Sequence, residues 1–154
     1  MTGWRVGYVT APSAIIKAML PIHHGMNICA PAVSQWAALA ALKGPHDWFD
    51  DILKEYSHRR QLWMRNLDEM GLTYGKPQGA YYIIFDVAST GLTSQEFAAA
   101  ARNEAQVVVG GGVGATGAAY QHMNRGSFAV PTERIEEGLS RLRPMIAKYQ
   151  EQRG

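Results

Sequence analysis

The stretch VVVGGGVGATGAAY, residues 107–120, sets the first fork in reading this chain. It contains Gly112-Val-Gly114-Ala-Thr-Gly117 shortly after three valines, the glycine spacing of a dinucleotide-binding loop. Such a loop works only if a helix follows it, because the free N–H groups and dipole of that helix hold the pyrophosphate. Here the glycines lead into AAYQHMNRGSFAV, and the next expected strand starts at Gly126. The gap is about eight residues, too short for a crossover helix. The acidic residues at the distance suited to a ribose contact, Glu136 and Glu137, fall inside an amphipathic helical pattern. The stretch therefore reads as a glycine-rich connection between neighbouring strands. Its three consecutive glycines, Gly110–Gly112, predict a mobile segment.

Working outward, residues 106–109 (QVVV) and 126–130 (GSFAV) read as strands on either side of the glycines. Residues 80–87 (AYYIIFDV) form a further buried strand, in which Tyr81 and Tyr82 should point to opposite faces. Asp86, at its end, reads as a carboxylate capping a turn. Thr93-Ser-Gln-Glu96 is a capping box opening a helix to about Asn103. The closing segment from Pro131 carries Ile135, Leu139, Leu142, Ile146 and Tyr149 at helical spacing, with Pro144 placed to kink it.

The first half has a different style. Residues 4–9 read as a strand starting almost at the first residue, as expected of a piece cut from a longer protein. A helix from Ser13 should stop at Pro21, and residues 23–31 (HHGMNICAP) look irregular. Residues 32–43 form a second helix with Gly44 as its C-cap. The clearest element spans 46–70, with Trp48, Phe49, Ile52, Leu53, Tyr56, Trp63, Leu67 and Met70 on its apolar side. Glu55 and Arg59 make an i,i+4 pair, and Gly71 ends the helix. The strand–helix–strand–strand–helix order from residue 80 predicts a small α+β layer, one sheet covered by helices.

Composition narrows the class. The chain has 154 residues, 47% hydrophobic and 18% charged, with a net charge of +2 spread along its length. That suits a folded globular domain and leaves no basic stripe for nucleic acid and no apolar run of membrane-spanning length. A single cysteine, Cys29, points to a reducing, cytoplasmic setting and reads as a small packed hydrophobe. The five histidines are scattered or adjacent on a loop, which gives no metal site.

The opening residues MTGWRVGY resemble a motif of fold type I aminotransferases, the pyridoxal phosphate enzymes related to aspartate aminotransferase. Further stretches are similar: HHGMNICAPAVSQWAALAAL, then Gly79-Ala80-Tyr81-Tyr82 where Gly-Ala-Phe-Tyr is usual, and NRGSFAVPTERIEEGLSRL where Val-Arg-Ile-Ser-Phe-Ala is usual. The resemblance implies the C-terminal part of the fold type I architecture, an α/β protein with an α+β small domain. Residues 1–44 would close the large cofactor-binding domain. Residues 45–154 would form the small domain and the long linking helix.

By the same resemblance, Arg5 matches the arginine that binds the phosphate of pyridoxal 5'-phosphate, and Arg125 matches the one that clasps the substrate α-carboxylate. Both roles suit the residue type: guanidinium is always charged, and its fork meets a phosphate or planar carboxylate through two bonds. Asn124 and Gly126 replace the family's apolar neighbours of Arg125, which predicts a looser strand start. Gly110 stands where the family has a proline. The Schiff-base lysine would lie about four residues before Met1, while Lys17 and Lys43 sit in helices, so no catalytic residue is assigned and this stretch alone is expected not to transaminate. The parent enzymes act on amino acids and 2-oxo acids as homodimers, which implies dimer-facing surface near residues 20–35. Two other readings are a non-enzymatic binding or regulatory module and a fold type I lyase. Arg125 argues against decarboxylation, because a clasped carboxylate is usually kept.

Overall fold

The computed structural model describes residues 1–111 and 120–153. These separate into two compact units, Met1–Trp48 and Phe49–Gly154.

The first unit holds a 3-10 helix, Thr2–Trp4, then α1, Ser13–Met26, and α2, Ala32–Lys43. Residues 6–10 are not a strand, contrary to the sequence expectation. A strand is completed only by a ladder partner, and no described residue pairs with them. Helix α1 also runs through Pro21 instead of stopping there. The proline removes one donor to the preceding turn, yet flanking Leu20, Ile22 and the residues up to Met26 continue the helix. Helix α2 ends at Gly44 as expected, with its N–H on the Ala40 carbonyl. Cys29 is exposed, not packed. Among the described residues no apolar side chain of this unit is buried, and Met26, Ile28 and Trp36 are 82%, 81% and 70% exposed.

The second unit contains nearly all of the long helix α3, Asp47–Glu69. Its end is written in the sequence. Gly71 takes φ 66°, the left-handed region that glycine tolerates, and Leu72 N–H reaches back to the Leu67 carbonyl while Gly71 N–H reaches that of Asp68. That pair of bonds satisfies the last turn and drops Leu72 into the core beside Leu67. The Glu55–Arg59 pair is present at 2.9 Å, and Glu55 also accepts from the Thr132 hydroxyl.

Three antiparallel strands follow in the order β1 (Tyr74–Gly75), β2 (Tyr82–Asp86) and β3 (Met123–Ser127). The last expected strand is therefore real but begins three residues early, and the expected strand at 106–109 does not form: Gln106 takes φ 55°, and among the described residues this segment meets the sheet only just beyond it, at the Gly110–Arg125 bridge. Helix α4, Ser94–Asn103, opens with the full Thr93–Glu96 capping box. Helix α5, Thr132–Arg153, continues through Pro144.

The sheet alternates cleanly. Ile83 and Phe85 of β2, with Asn124 and Gly126 of β3, face inward. They meet Trp63 and Leu67 of α3, Phe97 and Ala101 of α4, and Ile135, Leu139, Leu142 and Ile146 of α5. Each large side chain sealed there contributes about 1.5–3 kcal/mol by leaving water. The opposite sheet face, carrying Tyr82, Ile84 and Arg125, stays open.

Candidate functional site

The open sheet face is shaped by what lies behind it. The indole of Trp63 lies so close to Gly126 that a Cβ there would stand 2.5 Å from its ring. Asn124, wholly buried, donates to the Ser94 carbonyl at 3.1 Å, and the Ser94 hydroxyl donates to the Met123 carbonyl at 2.8 Å. The two unusual neighbours of Arg125 thus fasten the strand. The looser start expected from sequence is absent, because Gly126 makes room for an indole and Asn124 ties β3 to the N-terminus of α4.

Held in this way, Arg125 projects from β3 on the solvent side. Its guanidinium carbon sits 4.3 Å from the centre of the Tyr82 ring. Ile84 is directly opposite Arg125 across the ladder, and Tyr82 is its diagonal neighbour. On its other flank Gly110 exchanges two backbone hydrogen bonds with Arg125, at 2.9 and 2.8 Å. A Cβ at Gly110 would reach 3.5 Å from Arg125 Nε, so the missing side chain leaves that flank clear. Gly111 fits more closely, since a Cβ there would stand 2.9 Å from the Ala98 methyl, and that glycine has a packing reason. Gly112 and the fingerprint glycines Gly114 and Gly117 lie outside the described residues.

Tyr81 and Tyr82 do not simply oppose each other. Ala80 takes φ 57° and the strand begins only at Tyr82, so the bend brings the two rings to 4.6 Å. Tyr81 packs against the core and Tyr82 faces outward. Hydrogen bonding with Tyr82 is the main cause that pushes the Tyr81 hydroxyl above the ordinary phenol range, while Arg125 nearby pulls it the other way. Among the described residues no carboxylate pairs with Arg125, which leaves a stacked cation on an open surface. Beyond Ile84 the same face widens into a cleft of about 390 Å³ lined by Tyr74, Asp86, Tyr120 and Met123. Asp86 itself caps the turn after β2 by accepting from Ala88 N–H at 2.7 Å, as its position suggested.

Arg5 belongs to the first unit. It is exposed and takes φ 53° directly after the Thr2–Trp4 3-10 helix. A left-handed residue after helical ones aims successive N–H groups into one concavity, and such nests bind anions. No group of three or more histidine, cysteine, aspartate or glutamate side chains converges as a metal site among the described residues. No helix among them is long and apolar enough to cross a membrane.

The family described as aminotransferase class I and II matches residues 1–142. The chain belongs to that family. Aspartate aminotransferase of Pyrococcus abyssi is 39% identical over 150 residues, covering 95% of this chain and 38% of that protein. Aromatic-amino-acid aminotransferase 2 of Thermococcus litoralis is 35% identical over 150 residues, with 95% and 38% covered. Among solved structures, an aromatic aminotransferase from Pyrococcus horikoshii superposes with a TM-score of 0.83 at 39% identity, over 96% of this chain and 40% of that one. The chain thus spans about 38% of the length of the curated relatives it matches. Membership makes pyridoxal phosphate the cofactor of the family concerned. The small antiparallel sheet with its helices is the expected α/β fragment of the fold type I architecture.

The sequence pointed to both arginines. It did not reveal the Tyr82 ring under Arg125 or the Gly110 bridge. Only the strand register carries that information: an arginine and an aromatic on diagonal positions of adjacent antiparallel strands.

Proposed function

We propose that this chain is the C-terminal part of a pyridoxal phosphate-dependent aminotransferase that moves an amino group between an amino acid and a 2-oxo acid. In this reading residues 1–44 end the cofactor-binding domain and 45–154 are the small domain. Arg5 holds the cofactor phosphate with its guanidinium, and Arg125 holds the α-carboxylate of the substrate. Pyridoxal phosphate, when bound, supplies an electron sink for the charge left at the substrate Cα. The task of Arg125 is orientation. A fork bonded to both carboxylate oxygens fixes a plane as well as a position, which a lysine does not.

The observation that carries this reading is Arg125 itself: an arginine with no carboxylate partner among the described residues, stacked on an aromatic ring, in a chain of the aminotransferase family. Relatives named for aspartate and for aromatic amino acids match over the same stretch; in this reading Arg125 recognises the α-carboxylate that every amino acid carries, and side-chain choice is made elsewhere. No lysine of this stretch stands in the Ser-Lys context of the family, and the stretch by itself is expected not to transaminate. The exposed Leu20, Ile22, Met26, Ile28 and Val33 would form part of a homodimer surface. We place the protein in the cytoplasm, in keeping with its single, exposed cysteine.

The test uses the full-length protein. Arg125→Gln should raise KM for the amino donor by about a hundredfold, on the scale of breaking one side of a desolvated charge pair, with a smaller change in kcat. An unchanged KM would contradict the carboxylate role.

A further inference from the structure

Resting on the carboxylate role of Arg125, we infer that Tyr82 is a positioning residue whose ring holds the guanidinium of Arg125 in the orientation that receives a carboxylate. An exposed arginine on a sheet face ordinarily samples many rotamers and loses that freedom when it binds. Here an aromatic ring restricts it beforehand. The Tyr82 ring centre lies 4.3 Å from the guanidinium carbon, inside the range of a cation–π contact. On the opposite flank the Gly110 bridge fixes the backbone of Arg125 and presents no side chain.

The platform is itself anchored. The Tyr81 ring, 4.6 Å from that of Tyr82, packs against the core, and the Ala80 bend is what brings the two together. A stacked guanidinium keeps its N–H edge available in the plane, where a planar carboxylate approaches, because the ring occupies only its face. The hydroxyl of Tyr82 is not needed for this. The ring, not the oxygen, is the working part, and the ligand class so selected is a planar carboxylate bound side-on through two oxygens.

The experiment follows the Arg125 Nε–Hε signal of the 154-residue chain by NMR during titration with maleate, in the wild type and in Tyr82→Phe, Tyr82→Leu and Arg125→Gln. With no ligand present, Hε exchange with water should quicken in Tyr82→Leu and stay at the wild-type rate in Tyr82→Phe. Maleate binding should weaken about fivefold in Tyr82→Leu and stay within about twofold in Tyr82→Phe, as loss or retention of an exposed cation–π contact predicts. Methyl shifts of Ile83 and Leu139 report whether each variant keeps its core, and Tyr82→Phe keeps the comparison decisive should Tyr82→Leu unfold. If Arg125→Gln binds maleate as the wild type does, or the wild-type signal never moves, the carboxylate role fails. If Arg125→Gln loses binding while Tyr82→Leu matches the wild type in both affinity and exchange, the positioning role alone is overturned. Equal weakening in Tyr82→Phe and Tyr82→Leu would assign the effect to the hydroxyl and overturn it as well.

Discussion

Met1–Trp48 and Phe49–Gly154 end in opposite conditions. The second unit seals Phe85, Phe97, Phe128, Leu67 and Leu139 almost completely. The first contains two well-formed helices and, among the described residues, buries no apolar side chain. Helix formation by itself thus says little about stability, since a short helix persists mainly through the face it packs. In the second unit, α3, α4 and α5 share one sheet face. In the first, Trp36, Met26 and Ile28 meet water. Apolar exposure of this kind is what a surface looks like when its natural cover is another part of an assembly.

The largest effect separates the two units directly. Phe97→Ala removes a wholly buried ring and should cost about 3–5 kcal/mol, whereas Trp36→Ala should stay within about 0.5 kcal/mol, both measured by urea unfolding. A Trp36 effect as large as the Phe97 effect would erase the distinction. Gly126→Val sharpens the picture of the second unit. It places a side chain into the Trp63 indole and should cost about 1–3 kcal/mol, with a shift in Trp63 fluorescence as the local readout.

The smallest effect is one of pH. Glu104, at the end of α4, accepts from Lys148 at 2.8 Å and from the Tyr149 hydroxyl at 2.5 Å on α5. The Lys148 hydrogen bond, foremost, holds the Glu104 carboxyl below its usual range. The contribution of Glu104 is therefore complete at neutral pH and is lost as acid takes the carboxyl through its lowered value. Lys148 is held above its usual range by Glu104, so its share is complete below the ordinary lysine range and is lost as base takes it through the raised value. Glu104→Gln should flatten both flanks of a plot of melting temperature against pH. Glu104 and Lys148 are solvent-exposed, so the change should be slight and should shrink further in salt.

Elements with local signals were legible in the sequence. The Thr93–Glu96 box, the Gly71 terminator and the Glu55–Arg59 pair all stand where their spacing put them, because each is decided within one or two helical turns. Strands were harder. Residues 6–10 pair with no described residue, 106–109 form no strand, and β3 starts at Met123 because Asn124 and Gly126 suit the α4 anchor and the Trp63 ring. Ladder pairing is decided by distant residues, and a string of valines does not disclose its neighbour. Helix α1 running through Pro21 is the same lesson in reverse, since a missing donor weakens a helix without always ending it. At the candidate site, Arg125 could be found from its motif, but the Tyr82 platform could be found only from register.

Native-state hydrogen exchange across the whole chain tests the central claim most directly, namely that only the second unit carries its own core. The account predicts that amides of β2, α4, α5 and the second half of α3 exchange only through global opening, while those of α1 and α2 exchange much faster and independently. Equal protection of α1 and the sheet strand β2 would contradict it.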